Sequence, residues 1–218
     1  MPDSSRFRRP LPVQPGPGEE SVWEYPRPPR VEPRDERVVI RFGGTVIAES
    51  TAAVRVLETS HPPVYYVPAA DFSPGVLVPV DGTTMCEFKG EAHYLDVRVG
   101  DEVAGAAAWT YPDPRPGYAP LFGMIAVYPG RMDACEVDGV PVQAQEGDFY
   151  GGWITPGIVG PFKGAPGTRG WKRTPPPYTR SSVARNALEH PAPACHAERQ
   201  ALSTTRRAGG GRSHGRVR

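Results

Sequence analysis

Cysteine is scarce in this chain of 218 residues, and long apolar runs are missing. Cys86, Cys135 and Cys195 stand far apart with no C-x-x-C pair. That spacing argues against a disulfide framework or a zinc knuckle, and it predicts reduced thiols. No stretch of 18 apolar residues occurs, so no transmembrane helix is expected, and the opening MPDSSRFRRPLPVQPGPGEE lacks the apolar segment of a signal peptide. The expectation is a cytoplasmic protein with no membrane contact. The glycine fingerprints G-x-x-x-x-G-K-[ST] and G-x-G-x-x-G are also missing, which removes the usual loops that cradle a nucleotide's phosphates. Long amphipathic helical patterns are few.

Proline and glycine are plentiful instead, with 28 and 25 residues, and they gather towards the two ends. Hydrophobic content is 39%, low for a chain folded throughout. Charge is just as uneven. Residues 172 to 218 hold ten Lys/Arg and two Asp/Glu, a balance of +8, whereas residues 1 to 171 hold 15 basic and 22 acidic residues, a balance of −7. A mildly acidic body lacks the basic face of a nucleic-acid-binding fold, so no specific nucleic acid is predicted as a partner. The tail after Trp171 is too poor in apolar residues to offset the entropy of ordering and is expected to be disordered.

Four segments follow from this texture. Residues 1 to 36 are rich in Pro, Arg and Glu and predict an extended arm, with Trp23 and Tyr25 available to pin it to the body. Residues 37 to 143 alternate in the manner of strands. RVVIRFGGTVIAES predicts strands at 38 to 42 and 45 to 49 around a Gly43-Gly44 hairpin turn. TAAVRVLETS inclines to strand, and VYYV at 64 to 67 restarts a strand after the rigid corner His61-Pro62-Pro63. PAADFSPGVL predicts one helical turn near Pro68. In EAHYLDVRV, Ala92, Tyr94, Asp96 and Arg98 share one face, with His93, Leu95, Val97 and Val99 on the other. Asp138-Gly139 predicts a further hairpin. Residues 144 to 171 carry Phe149, Tyr150, Trp153, Phe162 and Trp171, too many apolar groups for a free linker, and are expected to pack on the domain. The fold class is therefore mainly β, a compact sheet or barrel-like domain with little helix and disordered ends.

The blocks G-G-T-V-I-A-E-S, V-L-E-T-S-H-P-P-V-Y-Y-V-P-A-A-D, T-x-C-x-F-K-G-E-A-x-Y, A-A-W-T-Y-P and G-M-I-A-V-Y occur in this order. Together they resemble the domain of unknown function family 427, also filed under a nucleotidyltransferase-like label, over about residues 37 to 130. The run up to Trp171 is similar to an extension of actinobacterial members. Val127 stands where the family usually has an aromatic residue, and Glu87 where a proline often follows the cysteine. The resemblance implies a small β-rich domain with an Mss4-like shape and no established activity. Mss4-like relatives bind zinc through C-x-x-C pairs, and without such pairs no metal or other cofactor is expected here.

Within these blocks lie Glu58, His61, Tyr65, Tyr66, Cys86, Lys89, Glu91, His93, Trp109 and Tyr111. A carboxylate orients an imidazole, an imidazole activates a thiol and a lysine holds an anion, so Glu58, His61 and Cys86 are candidate catalytic residues with Lys89 beside them. The structural alternative has Cys86 as a small buried hydrophobe, Glu58 paired with Arg55 or Lys89, and His61 shaping the proline corner. Tandem tyrosines point to opposite faces of a strand, so one of Tyr65 and Tyr66 faces the core and the other a cleft. Tyr65, Tyr66, Lys89, Trp109 and Tyr111 are the candidate ligand-binding residues, suited to a small planar or anionic ligand. A protein-contact surface on the aromatic extension is the third functional class. The one E-x-D pair weighed for nucleotidyl transfer, Glu136 and Asp138, falls in a predicted turn where Asp-Gly already has a structural use.

Overall fold

In the computed structural model, residues 10 to 147, 149 to 168 and 171 are described. The chain divides after Arg173, and the described residues all belong to the first unit. The basic tail expected to be disordered lies outside them.

Among the described residues, fifteen strands account for most of the regular structure. They are β1 (Glu20–Ser21), β2 (Arg30–Pro33), β3 (Val38–Phe42), β4 (Thr45–Ser50), β5 (Val54–Leu57), β6 (Val64–Pro68), β7 (Leu77–Cys86) and β8 (Gly90–Val99). The series continues with β9 (Glu102–Thr110), β10 (Met124–Val127), β11 (Ala134–Val137), β12 (Val140–Pro141), β13 (Gln143–Ala144), β14 (Trp153–Ile154) and β15 (Ile158–Val159). Among the described residues helix is confined to short 3-10 turns, including Ala69–Asp71 after Pro68 and Pro116–Leu121. The fold is mainly β, as the alternation predicts.

Turn chemistry sets the local pairings. Gly43 and Gly44 have φ of 58° and 70°, and Asp138 and Gly139 have 51° and 75°. Two consecutive positive φ values match the right-handed twist of a two-residue hairpin, and each pair closes one: β3 to β4, and β11 to β12. These four strands form one antiparallel sheet in the order β12-β11-β3-β4. Seven more form a second antiparallel sheet, β2-β5-β6-β10-β9-β8-β7, which ends in separate edges at β2 and β7 and so does not close into a barrel. Its edge strand β2 comes from the segment expected to be an arm. Glu32 on β2 faces Arg55 on β5, and a short strand with Pro33 at its end suits an edge.

The period of two then sorts side chains between two cores. Tyr65 and Val67 of β6, Val97 of β8, and Ile125 and Val127 of β10 pack with Val38, Ile40 and Ile47 of the smaller sheet. Tyr66, Ala92, Trp109, Tyr111, Met124 and Ala126 face the other way, with Val54 and Val56, and build the second core. That second face has no sheet over it. It is covered in part by Tyr118 and Leu121 of the 3-10 turn, and the space left over is a cavity.

Trp23 and Tyr25 are buried with Val22 and Leu57 in a third cluster, against which Ile158, Phe162 and Trp171 pack. The strand β1 runs parallel to β15, and the Trp23 indole donates to the Pro161 carbonyl at 2.9 Å. The N-terminal segment and the aromatic extension are thus laid down together. Trp153 goes further, inserting into the inter-sheet core 5.2 Å from the Tyr65 ring.

Candidate functional site

The cavity has a volume of about 410 Å³ and lies against the second face of the seven-stranded sheet. Alternation on three strands supplies its floor. Tyr66 projects from β6, Ala92 and Tyr94 from β8, and Trp109 from β9, followed by Tyr111. Ala126 of β10 pairs with Trp109, and its small side chain lets the Trp109 and Tyr66 rings meet across the intervening strand.

Hydroxyls on this floor are linked. The Trp109 indole N–H donates to the Tyr66 hydroxyl at 3.1 Å. The Tyr111 ring lies beside that of Tyr66, with centroids 6.4 Å apart, and Cys86 lines the cavity with them. Burial, the largest influence on both phenols, holds Tyr66 and Tyr111 protonated well above the usual range. On the other side Thr84 Oγ1 meets the Tyr94 hydroxyl at 2.9 Å, and burial pushes the Tyr128 phenol up to about 12.

His61 enters from the loop between β5 and β6. Its backbone N–H closes a turn onto the Glu58 carbonyl at 3.0 Å, with Ser60 at φ 71° inside that turn. A serine in this left-handed region costs energy and is held there from both sides: its N–H donates to Val22 and its carbonyl accepts from Lys163, at 2.9 and 2.8 Å. The turn fixes the imidazole. His61 Nδ1 lies 3.0 Å from the Thr59 carbonyl, an acceptor, so Nδ1 carries the proton and Nε2 keeps its lone pair. His61 is only 8% exposed, and Nε2 has no hydrogen-bond partner among the described residues. Burial lowers the pKa to about 4, aided by the Lys163 and Lys89 charges and opposed by Glu58. At neutral pH the ring is uncharged.

Gln145, Phe149, Tyr150 and Gly151 complete the enclosure. Gln145 accepts from the Gly152 N–H at 3.1 Å and donates to the Lys163 carbonyl. Gly151 passes so close to the Trp109 ring that a β-carbon there would overlap it, and one on Gly152 would overlap the Gln145 carboxamide. The Tyr150 ring stands edge-on to His61, with centroids 4.6 Å apart.

Four cations stand against rings that line the cavity. Arg27 lies 4.9 Å from the Phe88 ring, Lys89 5.9 Å from Tyr111, Arg131 5.1 Å from Tyr128 and Lys163 5.4 Å from Tyr150. The rim carboxylates Glu58 and Glu87 are both bound by Arg27. Lys89, Arg131 and Lys163 have no carboxylate partner among the described residues.

Seven of the eight residues named as catalytic or ligand-binding candidates therefore line one cavity: Glu58, His61, Tyr66, Cys86, Lys89, Trp109 and Tyr111. Tyr65 does not. It lies on the core face of β6, as strand alternation requires once Tyr66 faces the cleft. Glu58 pairs with Arg27 and not with Arg55 or Lys89, because Arg55 points away from the cavity towards Glu32 and Glu20. Glu91 and His93 pair at 3.1 Å on the exposed part of β8, outside the cavity. Asp138 accepts the Arg37 backbone N–H at 2.7 Å and Glu136 lies 3.7 Å from Arg41, so the E-x-D pair has structural work remote from the cavity. Sequence reasoning missed Tyr94, Tyr128, Tyr150, Phe88, Gln145 and Arg27 as parts of the site. Tyr94 was within reach, since it shares a face with Ala92; the others carry no local signal.

Among the described residues no three His, Cys, Asp or Glu side chains converge on a metal-sized site, and no helix is long and apolar enough to cross a membrane. The fold and the site define a mainly β domain of two open antiparallel sheets with an aromatic cavity on the outer face of the larger one. The chain belongs to the family described as Domain of unknown function (DUF427), which matches residues 30 to 138, from β2 to the middle of the β11–β12 turn. No curated protein matches it.

Proposed function

We propose that this domain binds a small planar anion in the aromatic cavity. The observation that carries the reading is the pairing of ring walls with positive charge. Flat rings provide apolar area for a planar group, and three cations without carboxylate partners leave the surroundings electropositive once Arg27 has neutralised much of the rim's acidity. A cavity of about 410 Å³ falls within the range of small-molecule sites. The extension supports ligand binding over a protein-contact role, because it turns Trp153 into the core and leaves Phe149, at 70% exposure, as its one large exposed aromatic among the described residues.

The test is a thermal-shift measurement on the full chain with planar carboxylates and their neutral amides, for example benzoate and nicotinate against benzamide and nicotinamide. A ligand that prefers the folded state must raise its apparent stability. The carboxylates are expected to raise Tm more than the amides, with an effect that weakens at high salt and in Lys89→Gln. Equal responses to acid and amide would overturn the proposal.

A second reading has Cys86 as a nucleophile. It is favoured by the cavity that the half-buried Cys86 shares with His61, Lys89 and Tyr111.

A further inference from the structure

The imidazole of His61 is held in one tautomer and has no partner for its second nitrogen among the described residues. A protein pays to bury such an atom, and most buried polar side-chain atoms are hydrogen-bonded. Packing alone would be served as well by an aromatic hydrocarbon at this position. The loop instead spends a strained Ser60, two backbone hydrogen bonds and the Thr59 carbonyl on presenting a neutral ring with its lone pair at Nε2.

We propose that His61 Nε2 is a specificity element, which accepts a hydrogen bond from a ring N–H or O–H of the ligand and so makes the cavity prefer, among planar anions, those that carry such a donor. This deepens the proposed function and rests on it. The lone pair is the sole acceptor the neutral ring offers, because Nδ1 is already committed as a donor. An uncharged imidazole also imposes no second anionic requirement on the ligand: the negative group answers to Lys89 and Lys163, and the donor answers to His61. Nε2 is shielded in the free protein, and the Tyr150 ring stands against the imidazole. The ligand's ring takes the place of that phenol. Tyr150 is neighboured by Gly151 and Gly152, and Lys163 lies 5.4 Å from its ring. It thus serves as an aromatic stand-in, with a cation already at the distance the ligand's own ring would use.

Two matched pairs of probes isolate the donor: pyrrole-2-carboxylate against furan-2-carboxylate, and indole-2-carboxylate against benzofuran-2-carboxylate. Each pair keeps shape, planarity and charge, and differs by one N–H. With the full chain in calorimetric titrations, the N–H member of the pair that fits is expected to bind about tenfold tighter or more. His61→Phe is expected to remove the preference while the carboxylates still bind. In Tyr150→Ala the N–H ligand is expected to bind more tightly, since no phenol has to be displaced. Equal affinity within both pairs would overturn the role of His61 and leave the planar-anion reading intact. Failure of all four carboxylates would overturn both. A preference that survives in His61→Phe would assign the donor contact to another residue and overturn this inference.

Discussion

Trp109 on β9 and Tyr66 on β6 meet edge to face at 84°, with the indole N–H donating to the phenol oxygen at 3.1 Å across the strand that separates them. This contact is both floor of the cavity and part of the second core. Tyr66→Phe keeps the ring and removes the acceptor, leaving a buried indole N–H unpaired. The expected loss is about 1 to 3 kcal/mol of stability, measured as a lower urea midpoint with an unchanged m-value. A midpoint equal to wild type would mean that the indole finds another acceptor.

Gly151 is constrained by approach and not by φ. Its neighbour is the face of Trp109, and a methyl group there has no room unless the segment lifts. Gly151→Ala is expected to cost about 1 to 3 kcal/mol and to shift the tryptophan emission, because overpacking at a rigid ring displaces one partner or the other. An Ala variant as stable as wild type, with an unaltered spectrum, would show that the backbone at Gly151 does not rest on Trp109.

Acid should weaken the fold through His61. Its pKa is 6.5 in the ordinary case and is lowered to about 4 in the folded protein. Between these values the unfolded chain binds a proton that the folded one does not, so stability rises with pH across that window. The contribution is fully present above about pH 6.5 and is lost as pH falls towards 4. Its upper limit is about 3 kcal/mol, from the shift of roughly 2.5 pH units. Urea midpoints of wild type and His61→Phe between pH 7.5 and 4 give the test. The wild type should lose more stability than the variant on descent, and parallel profiles would refute the assignment.

The two described cysteines should differ in reactivity. Cys86 is half-buried at the cavity, whereas Cys135 is buried in the inter-sheet core, where burial pushes its thiol up to about 12. Alkylation of the native protein at neutral pH, followed by peptide mass spectrometry, is expected to modify Cys86 and spare Cys135 until the protein unfolds. A planar carboxylate that fills the cavity should slow the Cys86 reaction. Equal labelling of both thiols in the native state would contradict the placement of Cys135.

Much of the strand order was legible because it rests on local chemistry. The Gly43-Gly44 and Asp138-Gly139 turns, the restart of β6 after two prolines and the 3-10 turn behind Pro68 each follow from what a few adjacent residues can do with their backbones. The same holds for the split between the faces of β8. The outer part of the seven-stranded sheet was not legible. RVEP at β2 has no apolar alternation, and it becomes a strand through register with β5 and the ion pair between Glu32 and Arg55. The candidate site shows the same division. Seven residues picked for their chemistry do gather in one cavity, while Tyr94, Tyr128 and Tyr150 join them from segments whose meeting depends on distant pairings.

By itself the sequence determined a β-rich body between two Pro- and charge-rich ends, its main hairpins, and the rule that Tyr65 and Tyr66 must part company across a strand. Period and turn propensity are properties of neighbouring residues, and they survive without knowledge of the fold. Only the tertiary structure decided that Tyr66 and not Tyr65 faces the cavity, that Arg27 binds the carboxylate of Glu58, and that His61 is neutral with one nitrogen spoken for. Each of these depends on which groups lie opposite after the sheets have formed, and on how much water is left between them.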